Sequence, residues 1–291
     1  MAFDTIETPE ARKEKLVGGS CTYCALAASF FTRPKIVAVV GEDFPEEAIE
    51  LFRKRDIDLQ GLKVSSGKTF HWEGRYGDDP NQRSTVKLEM NVFENFRPEL
   101  PSAYKDTDIL FLANIDPELQ EDILRQVKNK KIVAMDTIDT WIKNKKPAFL
   151  RVLRKVDMFF ANEEEARLLT EEINLIKAGK KILSMGPSFV ILKKGEHGAL
   201  AFGKDFVFGI LPYPCEGVVD PTGAGDSFAG GFLGYLDKVN RVDMKEIRNA
   251  GVFGSVMASF ALEDFGIHRL ASLSESIIQR RILDYKKFTS F

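Results

Sequence analysis

The sequence predicts an α/β fold, a mostly parallel sheet with helices on both of its faces. Two patterns carry the prediction. Short, unbroken apolar runs recur along the chain, as in Ile36-Val37-Ala38-Val39-Val40 and Phe189-Val190-Ile191-Leu192, and they read as strands buried on both faces. Between them lie stretches of helical period, such as 46–55 and 175–185. A chain of 291 residues can bury a substantial core, and one domain over 1–291 is expected.

Composition narrows the class. Forty-one basic residues against 43 acidic ones leave a net charge of −2, which is not the footprint of a nucleic-acid binder. No apolar run reaches the ~18 residues of a membrane span. The N-terminus lacks a basic-then-apolar signal pattern. Three cysteines, an odd number, do not build a disulfide framework. A cytoplasmic enzyme with no nucleic-acid or membrane partner is the expectation.

From the N-terminus, Gly18-Gly19-Ser20 opens a segment rich in Ala, Leu and Phe that reads as a helix over 21–32. It holds Cys21 and Cys24. A zinc site would need a second pair, but Cys215 is the only other cysteine and His71, His197 and His268 are scattered. The two thiols read as residues one turn apart on a packed helix. A thiol redox protein is the alternative, and it predicts that Cys→Ser variants lose activity.

After the strand at 36–40 and the helix at 46–55, the rhythm changes. Residues 61–95 alternate apolar and polar, as in Thr69-Phe70-His71-Trp72 and Thr85-Val86-Lys87-Leu88, around the polar turn Gly77-Asp78-Asp79-Pro80-Asn81-Gln82. This is a β-hairpin, either a lid over the strand ends or an antiparallel edge of the main sheet. As a lid, its edge could pair with a second subunit to give a homodimer. Within it, 61–69 imitates a phosphate-binding Walker loop. It has one residue too many between its glycines, and a strand rather than a helix follows.

Strand and helix then alternate regularly. Apolar runs at 109–112, 131–135, 158–160 and 189–192 are separated by helical stretches at 117–128, 163–170 and 175–185. In such sheets the sites lie at the carboxyl ends of strands. Asn114, Asp136 and Asn162 each follow a strand closely. Asn162 would cap the next helix, with acids in its first turn favouring the dipole. Lys193-Lys194-Gly195-Glu196-His197-Gly198 reads as a Gly-bearing turn after the 189–192 strand.

The strongest signal is Val218-Val219-Asp220-Pro221-Thr222-Gly223-Ala224-Gly225-Asp226-Ser227-Phe228-Ala229-Gly230-Gly231. A strand-like Val pair enters a glycine-rich turn that opens a helix. N–H groups at such a turn form an anion pocket, and Asp226 stands at its lip. A third glycine is missing at 228, so it is not a dinucleotide fingerprint. No Gly-Lys-Ser/Thr follows, so it is not a Walker loop either. An anion pocket with an acid at its edge suits transfer of a phosphoryl group to a hydroxyl. Further on, Asn249 precedes a helical stretch at 251–262.

The run Asp-Pro-Thr-Gly-Ala-Gly-Asp-Ser-Phe-x-Gly-Gly resembles the C-terminal signature of the PfkB family of carbohydrate kinases, which have the ribokinase-like fold and a β lid. The resemblance covers about 4–266. It implies that Asp226 is the catalytic base and that the amides of Gly223, Ala224 and Gly225 hold the transferring phosphoryl group. Asn162 and Glu165 match the family's Asn-x-x-Glu, which organises Mg²⁺, its waters and the nucleotide phosphates. The backbone near Lys193 and Gly195 would face ATP, and Asn249 would line the adenine pocket. On the acceptor side the resemblance points to Gly18, Gly19 and Ser20, and to Asp4 as the carboxylate that binds sugar hydroxyls. Asn114, at a strand end, joins them as a substrate-binding candidate. Asp220 and Thr222 resemble residues near a monovalent-cation site, which implies activation by K⁺.

Two features depart from the family pattern. Many sugar kinases have an Asn shortly after the Gly-Gly, and here the residues are Thr22-Tyr23-Cys24. Only three residues precede Asp4, where the family has a whole apolar strand. An upstream start codon would account for that, and an in-frame upstream sequence with no apolar run would exclude it. The expectation is an ATP- and Mg²⁺-dependent kinase acting on a hydroxyl of a small sugar or polyol. The alternatives are a nucleoside kinase on the same fold, with Phe70, Trp72 and Tyr76 stacking on the base, or a nucleotide-binding regulator without transfer activity.

Overall fold

The computed structural model of the chain describes residues 1–289. Its first strand, β1 (Ala2–Glu7), turns back on β2 (Arg12–Gly18) and leads through it into α1 (Ser20–Ala28). There follow β3 (Lys35–Gly41), α2 (Glu46–Lys54), β4 (Asp58–Ser65), β5 (His71–Tyr76) and β6 (Arg83–Glu89). These strands form two sheets. One has the order β2-β1-β5-β6, with β1 parallel to β5 and antiparallel to β2. The other is the parallel pair β3-β4.

The hairpin expected over 61–95 is β5 and β6, and the structure draws it more narrowly. Residues 61–65 belong to β4, which hydrogen-bonds to β3. The hairpin is not an edge of the large sheet, because β5 pairs on its other side with β1. Asp4 does not follow a stub of strand but lies inside β1, opposite Leu16 and Trp72. The sequence hides β1 because Asp4 and Thr5 interrupt its apolar run, although the strand is buried on both faces. Phe3 packs near the Phe44 ring, and Ile6 packs with Tyr76 and Phe265. A short strand buried on both faces that contains Asp and Thr has neither an alternating nor a continuous apolar pattern.

The next elements are β7 (Ile109–Leu112), α3 (Pro117–Gln126), β8 (Ile132–Met135), α4 (Asp139–Asn144), α5 (Lys146–Leu153) and β9 (Met158–Asn162). They continue with α6 (Glu163–Thr170), α7 (Leu175–Leu183), β10 (Phe189–Lys193), β11 (Ala199–Gly203) and β12 (Phe206–Ile210). The six strands make one sheet in the order β12-β11-β10-β9-β8-β7. β7 to β10 run parallel, while β11 and β12 are antiparallel additions. In β9 and β10, Met158, Phe159, Phe160, Ala161, Val190, Ile191 and Leu192 are fully buried, as their runs predicted. In β7, Ile109 to Phe111 are only half-buried, because β7 is the edge strand of this sheet. α3 stops at Gln126 because Val127 is extended. The parallel arrangement brings Asp136, Asn162 and Lys193 to one end of the sheet.

The C-terminal elements are α8 (Ala224–Val239), α9 (Met244–Ala261), α10 (His268–Ala271) and α11 (Glu275–Thr289). By contacts, the chain divides into two compact units. The first is Met1–Arg97, Tyr213–Arg241 and Asn249–Phe291, and the second is Pro98–Pro212 and Val242–Arg248. The core of the first unit joins Leu26 of α1, Ile36 of β3, Phe52 of α2, Phe260 of α9 and Ile278 of α11. α8 lies directly on α1. A Cβ at Gly230 would stand 2.3 Å from the Cys24 carbonyl oxygen, so the two backbones meet with no side chain between them. Among the described residues, no helix is long and apolar enough to cross a membrane.

Candidate active site

In the first unit, the glycine-rich turn is built on a buried carboxylate. Asp220 is wholly buried. Its Oδ1 accepts from the Thr222 N–H at 2.8 Å and its Oδ2 from the Gly266 N–H at 3.0 Å. Burial pushes its carboxyl above the usual range. Gly223 then takes a left-handed conformation, φ 76°, and caps α8 without any side-chain hydrogen bond. A Cβ there would lie 2.3 Å from ring atoms of Tyr23, so glycine is required on both counts. Asp226 falls in the first turn of α8, where the helix dipole favours a negative charge.

The acceptor-side candidates of this unit converge on one corner. Asp4 is 3% exposed, and its Oδ2 accepts from the Gly19 N–H at 3.2 Å. Gly18 makes room for that carboxylate, since a Cβ there would meet Oδ2 at 1.9 Å. Burial raises the Asp4 carboxyl to about 7 against the pull of the Gly19 N–H, with Asp220 and Asp226 adding to the rise. Gly19 caps α1 with no side-chain hydrogen bond, and Ser20 is the first residue of the helix. Tyr76 of β5 is buried, and its hydroxyl lies 3.0 Å from Thr222 Oγ1. That bond and its burial hold the Tyr76 hydroxyl within the first unit. Two buried hydroxyls, Tyr23 OH and Ser227 Oγ, have no hydrogen-bond partner among the described residues.

Cys21 and Cys24 lie one turn apart on α1, and neither is in a disulfide. Burial raises the Cys21 thiol, which disfavours the thiolate that redox chemistry needs. Among the described residues, no group of three or more His, Cys, Asp and Glu side chains could hold a metal. Asn249, on α9 in this unit, donates from Nδ2 to the Tyr235 hydroxyl at 3.2 Å.

In the second unit, Asn162 ends β9 and caps α6. Its Oδ1 accepts from the Glu165 N–H at 2.8 Å, and Glu165 Oε2 accepts from the Asn162 N–H at 2.8 Å. Asn162 Nδ2 also donates to Glu165 Oε1 at 2.9 Å, so both carboxylate oxygens are engaged. This is a complete capping box. Lys193 ends β10 directly opposite Asn162. Its Nζ donates to Asp136 Oδ2 at 2.7 Å, with the two side chains 17% and 6% exposed. Gly195 starts the short turn between β10 and β11. Asn114 Oδ1 accepts from Trp141 Nε1 at 2.8 Å.

Sequence reasoning missed two features. The Asp136–Lys193 pair joins residues 57 apart, although the position of Asp136 after a strand was a signal. The Tyr76–Thr222 contact joins residues 146 apart and left no local trace.

A family model described as pfkB family carbohydrate kinase matches residues 7–271. A cytidine kinase of Thermococcus kodakarensis is 31% identical over 242 residues, which is 81% of this chain and 86% of that protein. Among solved structures, the nucleoside kinase of Methanocaldococcus jannaschii superposes with a TM-score of 0.74 at 20% identity, covering 97% of this chain and 95% of the other. A Vibrio cholerae O395 fructokinase with fructose, ADP and calcium ion bound reaches a TM-score of 0.80 at 17% identity, covering 97% and 96%.

Proposed function

This chain belongs to the pfkB family of carbohydrate kinases, and on that premise we propose that it transfers the γ-phosphoryl group of ATP to a hydroxyl of a small acceptor, with Asp226 as the general base. The observation that carries the reading is Asp226 in the first turn of α8, directly after the glycine-capped turn. The acceptor oxygen attacks the γ-phosphorus, its proton passes to Asp226, and the bond to the β–γ bridging oxygen breaks to leave ADP. The amides of Gly223, Ala224 and Gly225 hold the charge that develops on the transferring group. Asp4, with the Gly18-Gly19-Ser20 backbone, binds hydroxyls of the acceptor, and Asn114 is retained as a substrate-binding candidate.

For the nucleotide, the backbone near Lys193 and Gly195 is the candidate segment of the second unit to face ATP, and Asn249 of the first unit is retained as a candidate for lining adenine. Each Glu165 oxygen accepts one bond from Asn162 and keeps a free lone pair, so Glu165 would hold Mg²⁺ through a bound water, with the phosphates as the other ligands. When bound, Mg²⁺ neutralises charge on the β- and γ-phosphates. Asp220 and Thr222 are the residues proposed to lie beside a K⁺ ion.

Two acceptor classes remain, a nucleoside and a free sugar or polyol. The name of the 31% identical relative favours the nucleoside. A panel of cytidine, ribose and fructose, with ADP release measured in K⁺ and then Na⁺ buffers, separates the classes and tests the K⁺ assignment. Asp226→Asn should lower kcat by about 10²–10⁴-fold on the best acceptor, with little change in the KM for ATP. Turnover close to wild type in that variant excludes the proposed base. A regulator without transfer activity would release ADP with none of the acceptors.

A further inference from the structure

We infer that the second unit holds a further binding site, at the far end of its sheet from Lys193, for an organic phosphate: a doubly charged phosphate group carried on an apolar body. The site is a cavity of about 790 Å³, a size that suits a small-molecule ligand. Its walls include Lys180 and Leu183 of α7, Pro187 and Ser188 before β10, and Lys204 and Phe206 where β11 turns into β12. All of them belong to the second unit. β10 starts at Phe189, beside the cavity, and ends at Lys193. The antiparallel β11 then brings Gly203 back to the starting end. The inference goes beyond the kinase reading and does not rest on it.

The lining divides into an apolar wall and a charged rim. The Phe206 ring is set in place by its neighbours. A Cβ on Gly203, its partner across the turn, would stand 2.4 Å from a ring atom, and the Phe208 ring stacks on it at 5.3 Å. Leu183 and Pro187 continue the apolar surface. Lys180 and Lys204 are exposed, and among the described residues neither ammonium has an ion-pair partner. Lys145, Lys155 and Lys193 of the same unit, by contrast, each hold a carboxylate. The dipole of α7 accounts for a cation in its last turn, but Lys204 follows a strand and has no such role. Among the described residues Asp205 is the only acid of the lining, so the rim is net positive. Two ammonium groups answer the two charges that a phosphate monoester carries near pH 7, whereas a single carboxylate would leave one of them unmatched. The exposed Ser188 hydroxyl adds a donor, and Phe206 and Leu183 offer surface to the apolar body.

Phenyl phosphate is the probe, with inorganic phosphate and phenol as its two halves, and binding to the full chain is measured by titration calorimetry. Phenyl phosphate should bind at one site, and each half at least about fivefold more weakly. Lys180→Glu combined with Lys204→Glu should raise its Kd about tenfold at an unaltered Tm, because both side chains are exposed. Lys204→Gln, which removes one charge, should raise it about threefold and keeps the test decisive if the double variant loses stability. Lys177→Glu puts the same new charge on α7 outside the cavity, and should move the Kd less than about twofold. An equal loss in Lys177→Glu would mean a general attraction of anions and would overturn the inference. An unaltered Kd in the double variant would put the probe elsewhere on the chain and overturn it as well. So would inorganic phosphate binding as tightly as phenyl phosphate, or no binding of phenyl phosphate at about 10 mM.

Discussion

Asp4 illustrates how a single carboxyl carries both a functional and a stability signature. It has exchanged water for one N–H, and its carboxyl rises from 3.8 to about 7. Between those values the folded chain holds a proton that the unfolded chain has released. The stability contributed by the neutral carboxyl is therefore complete below the lower value and is lost as pH rises through about 7, at about 1.4 kcal/mol for each pH unit crossed between the two. Asp4→Asn cannot ionise and should flatten this slope. Its Tm gain over wild type should be larger at pH 8 than at pH 5, and equal gains at the two pH values would contradict the assignment. Placement was legible where it is local, as with Asp226 in the first turn of the helix that the glycine turn opens. It was hidden where it depends on partners distant in sequence, as with Lys193 on Asp136 and Tyr76 on Thr222.

Among the elements, α6 begins where its sequence said it would, because Asn162 and the acids after it satisfy the first N–H groups of the helix. The same bonds occupy the carboxylate that the family resemblance assigns to Mg²⁺. Asn162→Ala separates the two roles. Loss of the cap should cost about 0.5–2 kcal/mol of stability. If the box also serves the nucleotide, the KM for MgATP should rise as well, and a stability loss with an unchanged KM would confine the box to structure. Strands such as β9 and β10 were legible because burial on both faces demands unbroken apolar runs. β1 was not, because it is buried by its place between β2 and β5 rather than by its own composition.

At the scale of the whole molecule, family membership over 7–271 agrees with the α/β reading of the sequence. What the sequence did not foretell is the division of the described strands among three sheets, which depends on pairings far apart in the chain. One consequence lies at the free edge of the β2-β1-β5-β6 sheet. β6 is its outer strand, and Val86 and Leu88 on it are 49% and 52% exposed. An apolar edge strand is a template for pairing with another chain. If two copies associate there, Leu88→Lys should shift the sedimentation of the protein from dimer to monomer. Sedimentation as a monomer by the wild-type chain would remove this edge as an interface.

The sheet that carries the hairpin also carries Asp4, since β1 is hydrogen-bonded along its length to β5. The hairpin and Asp4 thus belong to one mechanical part, assembled from two short stretches, 2–18 and 71–89. Such a part behaves as a cassette. If Asp4 binds the acceptor as proposed, exchanging both stretches with those of a relative should alter the acceptor preference while leaving Asn162, Glu165 and Lys193 as they are.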